Sequence, residues 1–286
     1  YEGDGLKIKE IIKGSPLETS KKEIEPGYII KAIDGQEIKA GCDYYPLLEG
    51  KTDRYTRLTI SKKGKDFDIT IKPISQGAEN ALLYKRWVER NRKIVDKLSD
   101  NKIAYVHIKA MDAASFQTLY KELMSDENRN KEAVVVDTRH NGGGWLHGDI
   151  CVLLSGKRVM QFKPRGQFIG NDPFDRWIKP SCMLVCEDNY SNAHGTPWYY
   201  KELGLGKLIG APVPGTMTAV WWERLEGGMV FGIPQVGAYD NQGHVLENQL
   251  LQPDIEIYNN PSDVLTGKDE QLERAVQEIL KTVSQQ

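Results

Sequence analysis

The 286 residues carry 38 basic and 40 acidic side chains, with 40% hydrophobic and 27% charged residues, the balance of a soluble globular chain of about two domains with room for a sizeable core. Charges that nearly cancel give no reason to expect nucleic acid or an anionic membrane as partner. No apolar run approaches the roughly 20 residues of a membrane helix, so a soluble protein is expected, cytoplasmic or periplasmic, with the compartment unassigned.

The chain opens Tyr1-Glu2-Gly3, without an initiator Met or an apolar signal core, which leaves room for a removed leader or a larger N-terminal region. From Leu6 to Ile74 it reads as short strands between turns. Leu6, Ile8, Ile11 and Ile12 lead into Gly14-Ser15-Pro16, and Tyr28 to Ile33 leads into Asp34-Gly35, a strong hairpin dipeptide. Leu58-Thr59-Ile60 and Phe67 to Ile71 alternate on either side of Lys63-Gly64. Gly14-Ser15-Pro16-Leu17, Pro26-Gly27-Tyr28-Ile29-Ile30 and Ile33-Asp34-Gly35-Gln36 together resemble the signature of PDZ domains, and that resemblance covers roughly residues 3–74.

Ser75-Gln76-Gly77 is a polar break. Leu82, Leu83, Trp87, Ile94, Val95 and Leu98 then recur at helical spacing among Arg, Lys and Glu, predicting a connecting helix over 78–98. Beyond it strands alternate with helices, the mark of an α/β domain. Strands are expected at Ile103–Ile108, Ala133–Asp137 and Cys182–Cys186, and helices at Ala114–Met124 and Glu270–Val283. The expected organisation is a β-rich domain over 1–74, a connecting helix over 75–100 and an α/β core over 101–286.

Two segments could carry chemistry. The apolar strand Val134-Val135-Val136-Asp137 runs through Thr138-Arg139-His140-Asn141 into Gly142-Gly143-Gly144. Consecutive glycines let backbone N–H groups approach an anionic ligand closely; a plain loop reads the same way. The second apolar strand ends in Glu187 to Pro197, with Ser191 at an expected strand-to-helix turn. Such a turn exposes a hydroxyl and offers the next backbone N–H to an oxyanion, although a helix-capping serine fits the same spacing.

Taken together, Asp137-Thr138-Arg139-His140-Asn141-Gly142-Gly143-Gly144, Tyr190-Ser191-Asn192 with Pro197, and Leu203-Gly204-Leu205-Gly206-Lys207-Leu208-Ile209-Gly210 resemble the tricorn and C-terminal processing peptidases. The resemblance implies a crotonase-like α/β (α+β) peptidase core behind the PDZ-like domain. It implies Ser191 as nucleophile, the Asn192 N–H as one oxyanion donor and the Gly143 N–H as the other, since relatives with proline at the position of Gly142 cannot donate there. Leu246-Glu247-Asn248 with Pro253-Asp254-Ile255 is similar to a further motif of the family, which makes Glu247 the acid expected to orient a catalytic histidine; Gln249-Leu250-Leu251 departs from the usual glycine there.

A serine needs a base, and none of the five histidines reads as one. His107 lies mid-strand, His140 and His147 flank the glycine loop, His194 is one turn beyond Ser191 along its helix, and His244 sits beside a glycine turn. In the tricorn branch the base precedes the PDZ domain, so the resemblance implies a C-terminal fragment lacking its catalytic histidine and partnered by missing N-terminal domains of the same protein. Peptides or unfolded protein are the implied substrate, and a homo-oligomer is compatible with the sequence. No cofactor is expected. Cys42, Cys151, Cys182 and Cys186 have no metal-site spacing and are expected as buried free thiols. Trp198, Tyr199, Trp221 and Trp222 could line an apolar pocket. An inactive PDZ scaffold that binds peptides and an acyl-transferring enzyme of crotonase type are the competing readings.

Overall fold

Short antiparallel strands turned by Xaa-Gly pairs build the first unit. β1 (Leu6–Lys7) pairs with β2 (Ile29–Ile33), which also pairs with β3 (Gln36–Glu37) and β4 (Thr56–Lys62); β4 continues into β5 (Lys65–Ile71). Asp34 (φ 50°) with Gly35 (φ 83°), and Lys63 (φ 49°) with Gly64 (φ 79°), supply the two consecutive left-handed residues that a tight two-residue hairpin turn needs. Ile33, Ile38, Leu58, Ile60 and Ile69 close over one another as the core. The first strand is shorter than its apolar spacing predicts: Ile11 and Ile12 lie beyond the pairing with β2, in the loop that precedes the Gly14 turn.

The computed structural model describes Tyr1 and residues 3–285, and the chain divides into two compact units, Tyr1–Arg90 and Asn91–Gln286. The boundary falls inside α1 (Gln76–Leu98), the expected connecting helix.

In the second unit five strands run parallel: β6 (Ile103–His107), β7 (Ala133–Asp137), β10 (Ser181–Val185), β11 (Leu208–Gly210) and β14 (Ile255–Glu256), in the order β14-β11-β10-β7-β6. Every residue of β6, β7, β10 and β11 is buried, as a sheet covered on both faces requires, whereas the edge strand β14 is partly exposed. Val134, Val136, Met183 and Val185 pack with α2 (Ala113–Leu123), α4 (His147–Ser155) and α5 (Asn192–Glu202). The opposite face is covered by α7 (Glu270–Ser284), which packs on β7, β10 and β11 through Leu272, Ala275, Val276 and Ile279. Two short helices, α3 (Asp126–Arg129) and α6 (Pro261–Thr266), complete the connections. Two ribbons lie outside the parallel sheet: β8 (Met160–Phe162) with β9 (Gly170–Asp172), and β12 (Ala219–Arg224) with β13 (Val230–Val236). The architecture is the mixed α/β arrangement that the sequence predicts. Among the described residues no helix is long and apolar enough to cross a membrane. The four cysteines are free thiols, with Cys151, Cys182 and Cys186 buried.

At the carboxyl end of β7 the chain buries a guanidinium. Arg139 is only 2% exposed, and its charge is met by Asp137 at 2.7 Å and by Asp269 at 2.9 Å, with Gln271 at 3.1 Å. Asp137 also accepts from the Tyr105 hydroxyl, which in turn accepts from Asn91. Burial pushes the Asp137 carboxyl up, but the adjoining Arg139 outweighs it and holds the group below the ordinary carboxylate range. Asp269 does a second task as the N-cap of α7, accepting from the Leu272 N–H at 3.0 Å. Asp269→Ala removes both a partner of a buried charge and a helix cap, and is expected to cost about 3–5 kcal/mol in urea unfolding. Lys268→Ala, which opens only partly exposed ion pairs, should leave the urea midpoint nearly unchanged.

Candidate active site

The loops that leave β7 and β10 meet at the carboxyl edge of the sheet, where ligands of open α/β sheets bind. Asn141, fully buried, joins them. Its Nδ2 donates to the Ile108 carbonyl at 2.7 Å, its Oδ1 accepts from the Gly143 N–H at 2.8 Å, and its own carbonyl accepts from the Tyr190 N–H at 3.0 Å. One side chain and one peptide thus hold the glycine loop, the end of β6 and the turn before Ser191 in fixed relation. Sequence reasoning places Asn141 inside a motif but does not identify this tie.

The turn itself is strained. Ser191 has φ 55° and ψ −121°, and its hydroxyl makes no capping bond to α5; a non-glycine residue held there costs on the order of 1–3 kcal/mol and persists only where its surroundings over-determine it. Its N–H donates to Thr216 Oγ1 at 3.0 Å. Against it lies Gly143, with φ 94°: a Cβ there would fall 2.7 Å from Ser191 Cβ, 2.7 Å from the Tyr190 oxygen and 3.0 Å from the Asn192 nitrogen. Only glycine allows this approach. Asn192 opens α5, so its N–H is one of the unpaired donors of a helix start, with the positive end of the helix dipole behind it. The Gly143 N–H, the other expected donor, is engaged by Asn141 Oδ1.

The Asn192 side chain caps a different helix. Its Oδ1 accepts from the N–H groups of Leu146 (2.8 Å) and His147 (3.1 Å) at the start of α4, and its Nδ2 donates to His147 Nδ1 at 2.7 Å, which fixes that ring nitrogen as an acceptor.

Glu247 lies on the far wall. Its Oε2 accepts from the N–H groups of Met217 (2.8 Å) and Thr218 (2.7 Å). Burial raises this carboxyl, but the Thr218 N–H and hydroxyl and the Met217 N–H together hold it below its ordinary range, with a smaller contribution from His194. Gly215 packs on the backbone of Gln249, and Asn248 donates to the Gly215 carbonyl. Glu247 is therefore a clamp on the 215–218 stretch that carries Thr216. Neither Thr216 nor Met217, which lies over Gly195, gives any signal in the sequence.

A cavity of about 300 Å³ opens at this point, bounded by Gly142, Trp145, Ser191, Asn192, Met217 and Trp221. Trp222 also lines it, so two of the four expected aromatics border the pocket, while Trp198 and Tyr199 pack against the core instead. A larger cavity, about 660 Å³, lies around Ser181, Gly206 and Glu278; it contains none of these groups and has no arrangement suited to acyl chemistry.

His107 Nε2 contacts the Arg139 carbonyl at 2.9 Å, His140 pairs with Asp188, His147 with Asn192 and His244 with Asp240. His194 is buried, bonded to the backbone of Gln249, with Nδ1 unpartnered among the described residues.

A family model for peptidase family S41 matches residues 102–257, over half of the chain, and one for the tricorn protease PDZ domain matches residues 1–76. The tricorn protease of Thermoplasma acidophilum is 30% identical over 264 residues, covering 90% of this chain and 24% of that protein. A tricorn protease homolog of Saccharolobus solfataricus is 30% identical over 286 residues, covering 98% of this chain and 26% of its own length. A crystal structure of the tricorn protease superposes with a TM-score of 0.80 at 27% identity, over 99% of this chain and 29% of that one. Mature CPAF complexed with lactacystin shares the fold, with a TM-score of 0.53 at 13% identity. The chain thus spans about a quarter of the length of these two curated relatives.

Burial lowers the pKa of both His107 and His194, the latter against the opposing pull of Glu247. A histidine depressed in the folded state contributes stability that is complete above the unfolded value, about 6.5, and is lost as pH falls through the folded value. Urea unfolding is therefore expected to show lower stability at pH 5.5 than at pH 7.5, with the difference reduced in His194→Gln.

Proposed function

The chain belongs to peptidase family S41, with a tricorn-type PDZ domain, and from that premise we propose that it carries the nucleophile and oxyanion site of a serine peptidase, with Ser191 attacking a peptide carbonyl to form an acyl-enzyme. The observation that carries the reading is the strained Ser191 turn held against Gly143 by Asn141.

In the proposed reaction the Ser191 Oγ adds to the scissile carbonyl, and the oxyanion is held by the Asn192 N–H at the start of α5. A preorganised donor of this kind is worth roughly 3 kcal/mol at the transition state. The Gly143 N–H joins as second donor by sharing its proton between Asn141 Oδ1 and the developing oxyanion. Loss of the amine leaves the acyl-enzyme, and water then releases the acid. The Ser191 proton goes to a base outside this sequence, a reading supported by the other partners that His107, His140, His147 and His244 hold and by the burial of His194. In this reading Glu247, which accepts from the Met217 and Thr218 N–H groups, orients that base and stabilises its charged form. The substrate is a peptide or an unfolded segment, its side chain received by the cavity beside Trp221 and Trp222. The domains that precede the PDZ unit in the intact protein are the proposed partners, and supply the base.

The experiment is peptide hydrolysis by the protein joined to its base-bearing domain. Ser191→Ala is expected to lower kcat/KM by at least about 10³-fold. Retention of activity in this variant would sink the peptidase assignment of Ser191, and retention of peptide binding and biological function without any hydrolysis in the wild type would favour the inactive PDZ scaffold.

A further inference from the structure

The same two loops carry a second cluster, on side chains that the proposed peptidase chemistry does not use. We propose that His140, Cys186 and Asp188 form a binding site for a zinc-class divalent cation. His140 leaves the end of β7, and Cys186 and Asp188 leave the end of β10, its neighbour in the sheet. His140 Nδ1 lies 2.9 Å from Asp188 Oδ2, and Cys186 Sγ lies 2.7 Å from Asp188 Oδ1; all three potential ligand atoms are within 4.8 Å of one another. The ligands of a tetrahedral zinc ion, at about 2.0 Å for nitrogen or oxygen and about 2.3 Å for sulfur, lie about 3.3–3.6 Å apart. Adjusting the cluster to that spacing takes movements on the order of 1 Å, available to His140 and Asp188, which are more than half exposed.

The donor set decides the chemical class. One thiol, one imidazole and one carboxylate suit zinc, cobalt or cadmium; magnesium and calcium prefer oxygen alone. Three protein ligands, with His140 and Asp188 open to solvent, leave a fourth position for water. Without a cation Cys186 donates its proton to Asp188, and burial together with that carboxylate raises the thiol to about 12. On binding, the S–H bond breaks, the proton leaves to solvent and a sulfur–metal bond forms, with no change of oxidation state. The His140 backbone N–H, 3.2 Å from Cys186 Sγ, stays in place as a donor to the thiolate, the outer-shell support that such ligands use. His140 and Cys186 are too far apart in sequence for any linear spacing rule to pair them.

Cobalt(II) titration of the metal-stripped 286-residue chain tests the site. The expected result is a thiolate-to-cobalt charge-transfer band that saturates at one equivalent and is erased by zinc. Cys186→Ser should abolish the band, and His140→Ala and Asp188→Asn, which alter exposed side chains, should each weaken cobalt and zinc binding at least tenfold while circular dichroism shows an unchanged fold. Absence of the band in the wild type, its survival in Cys186→Ser, or unchanged affinity in both His140→Ala and Asp188→Asn overturns the proposal and leaves an imidazole–carboxylate pair only. Should Cys186→Ser fail to fold, the other two variants decide.

Discussion

The carboxyl edge of the parallel sheet is organised by the neutralisation of one buried charge. Arg139 sits two residues past the end of β7 at almost no exposure, and a lone guanidinium there would be untenable. Asp137 meets it from the strand and Asp269 from the start of α7, so the ion pair fixes the direction in which the chain leaves β7 and ties the loop to the helix behind the sheet. The same electrostatic demand accounts for the buried partners around it: the Tyr105 hydroxyl donates to Asp137 and in turn accepts from Asn91. With the loop pointed this way, Asn141 arrives where it can bond Ile108, Gly143 and Tyr190 at once.

The geometry of Ser191 follows from that tie. Left-handed backbone at a serine is unfavourable in isolation, and here it is supported from three directions: Asn141 holds Tyr190, Thr216 accepts from the Ser191 N–H, and the side chain of the next residue, Asn192, is locked into the start of α4. Glu247 secures the wall that supplies Thr216. The result is a fixed serine turn beside a helix-start N–H, the arrangement that the proposed function reads as the electrostatic half of an acyl-transfer site. The proposed reaction assigns the proton-accepting half to a group outside these residues; four of the imidazoles bond to a carbonyl, a carboxylate or an amide, and His194 is buried.

Much of this was legible in the sequence, for identifiable reasons. The Asp34-Gly35 and Lys63-Gly64 turns announce their hairpins because left-handed dihedrals restrict residue choice, and Val134 to Val136 announces a doubly covered strand because both faces are apolar. The glycine loop and the Ser191 turn were visible through their residue types. Less visible were contacts made by ordinary residues at long range. Thr216 and Met217 resemble any loop residues, and the β12–β13 ribbon, with Trp222 largely exposed, lacks the alternation of a half-buried strand. Asn141 could be read as part of a motif, but its three partners come from three separate segments. Gly143 is expected as a donor from the family resemblance; that its N–H is engaged by Asn141 Oδ1 depends on a side-chain rotamer, which sequence does not encode directly.

The central claim is that Ser191 is a positioned nucleophile whose base lies outside these residues, and phosphonylation of the 286-residue chain tests it most directly. A reactive phosphonate should label Ser191 slowly, as followed by mass spectrometry, with added imidazole accelerating the reaction and with His147→Gln and His194→Gln leaving the rate within about threefold of the wild type. Rapid labelling that either histidine variant reduces by about 10²-fold or more, the contribution expected of a general base, would contradict the account and place the base within the chain.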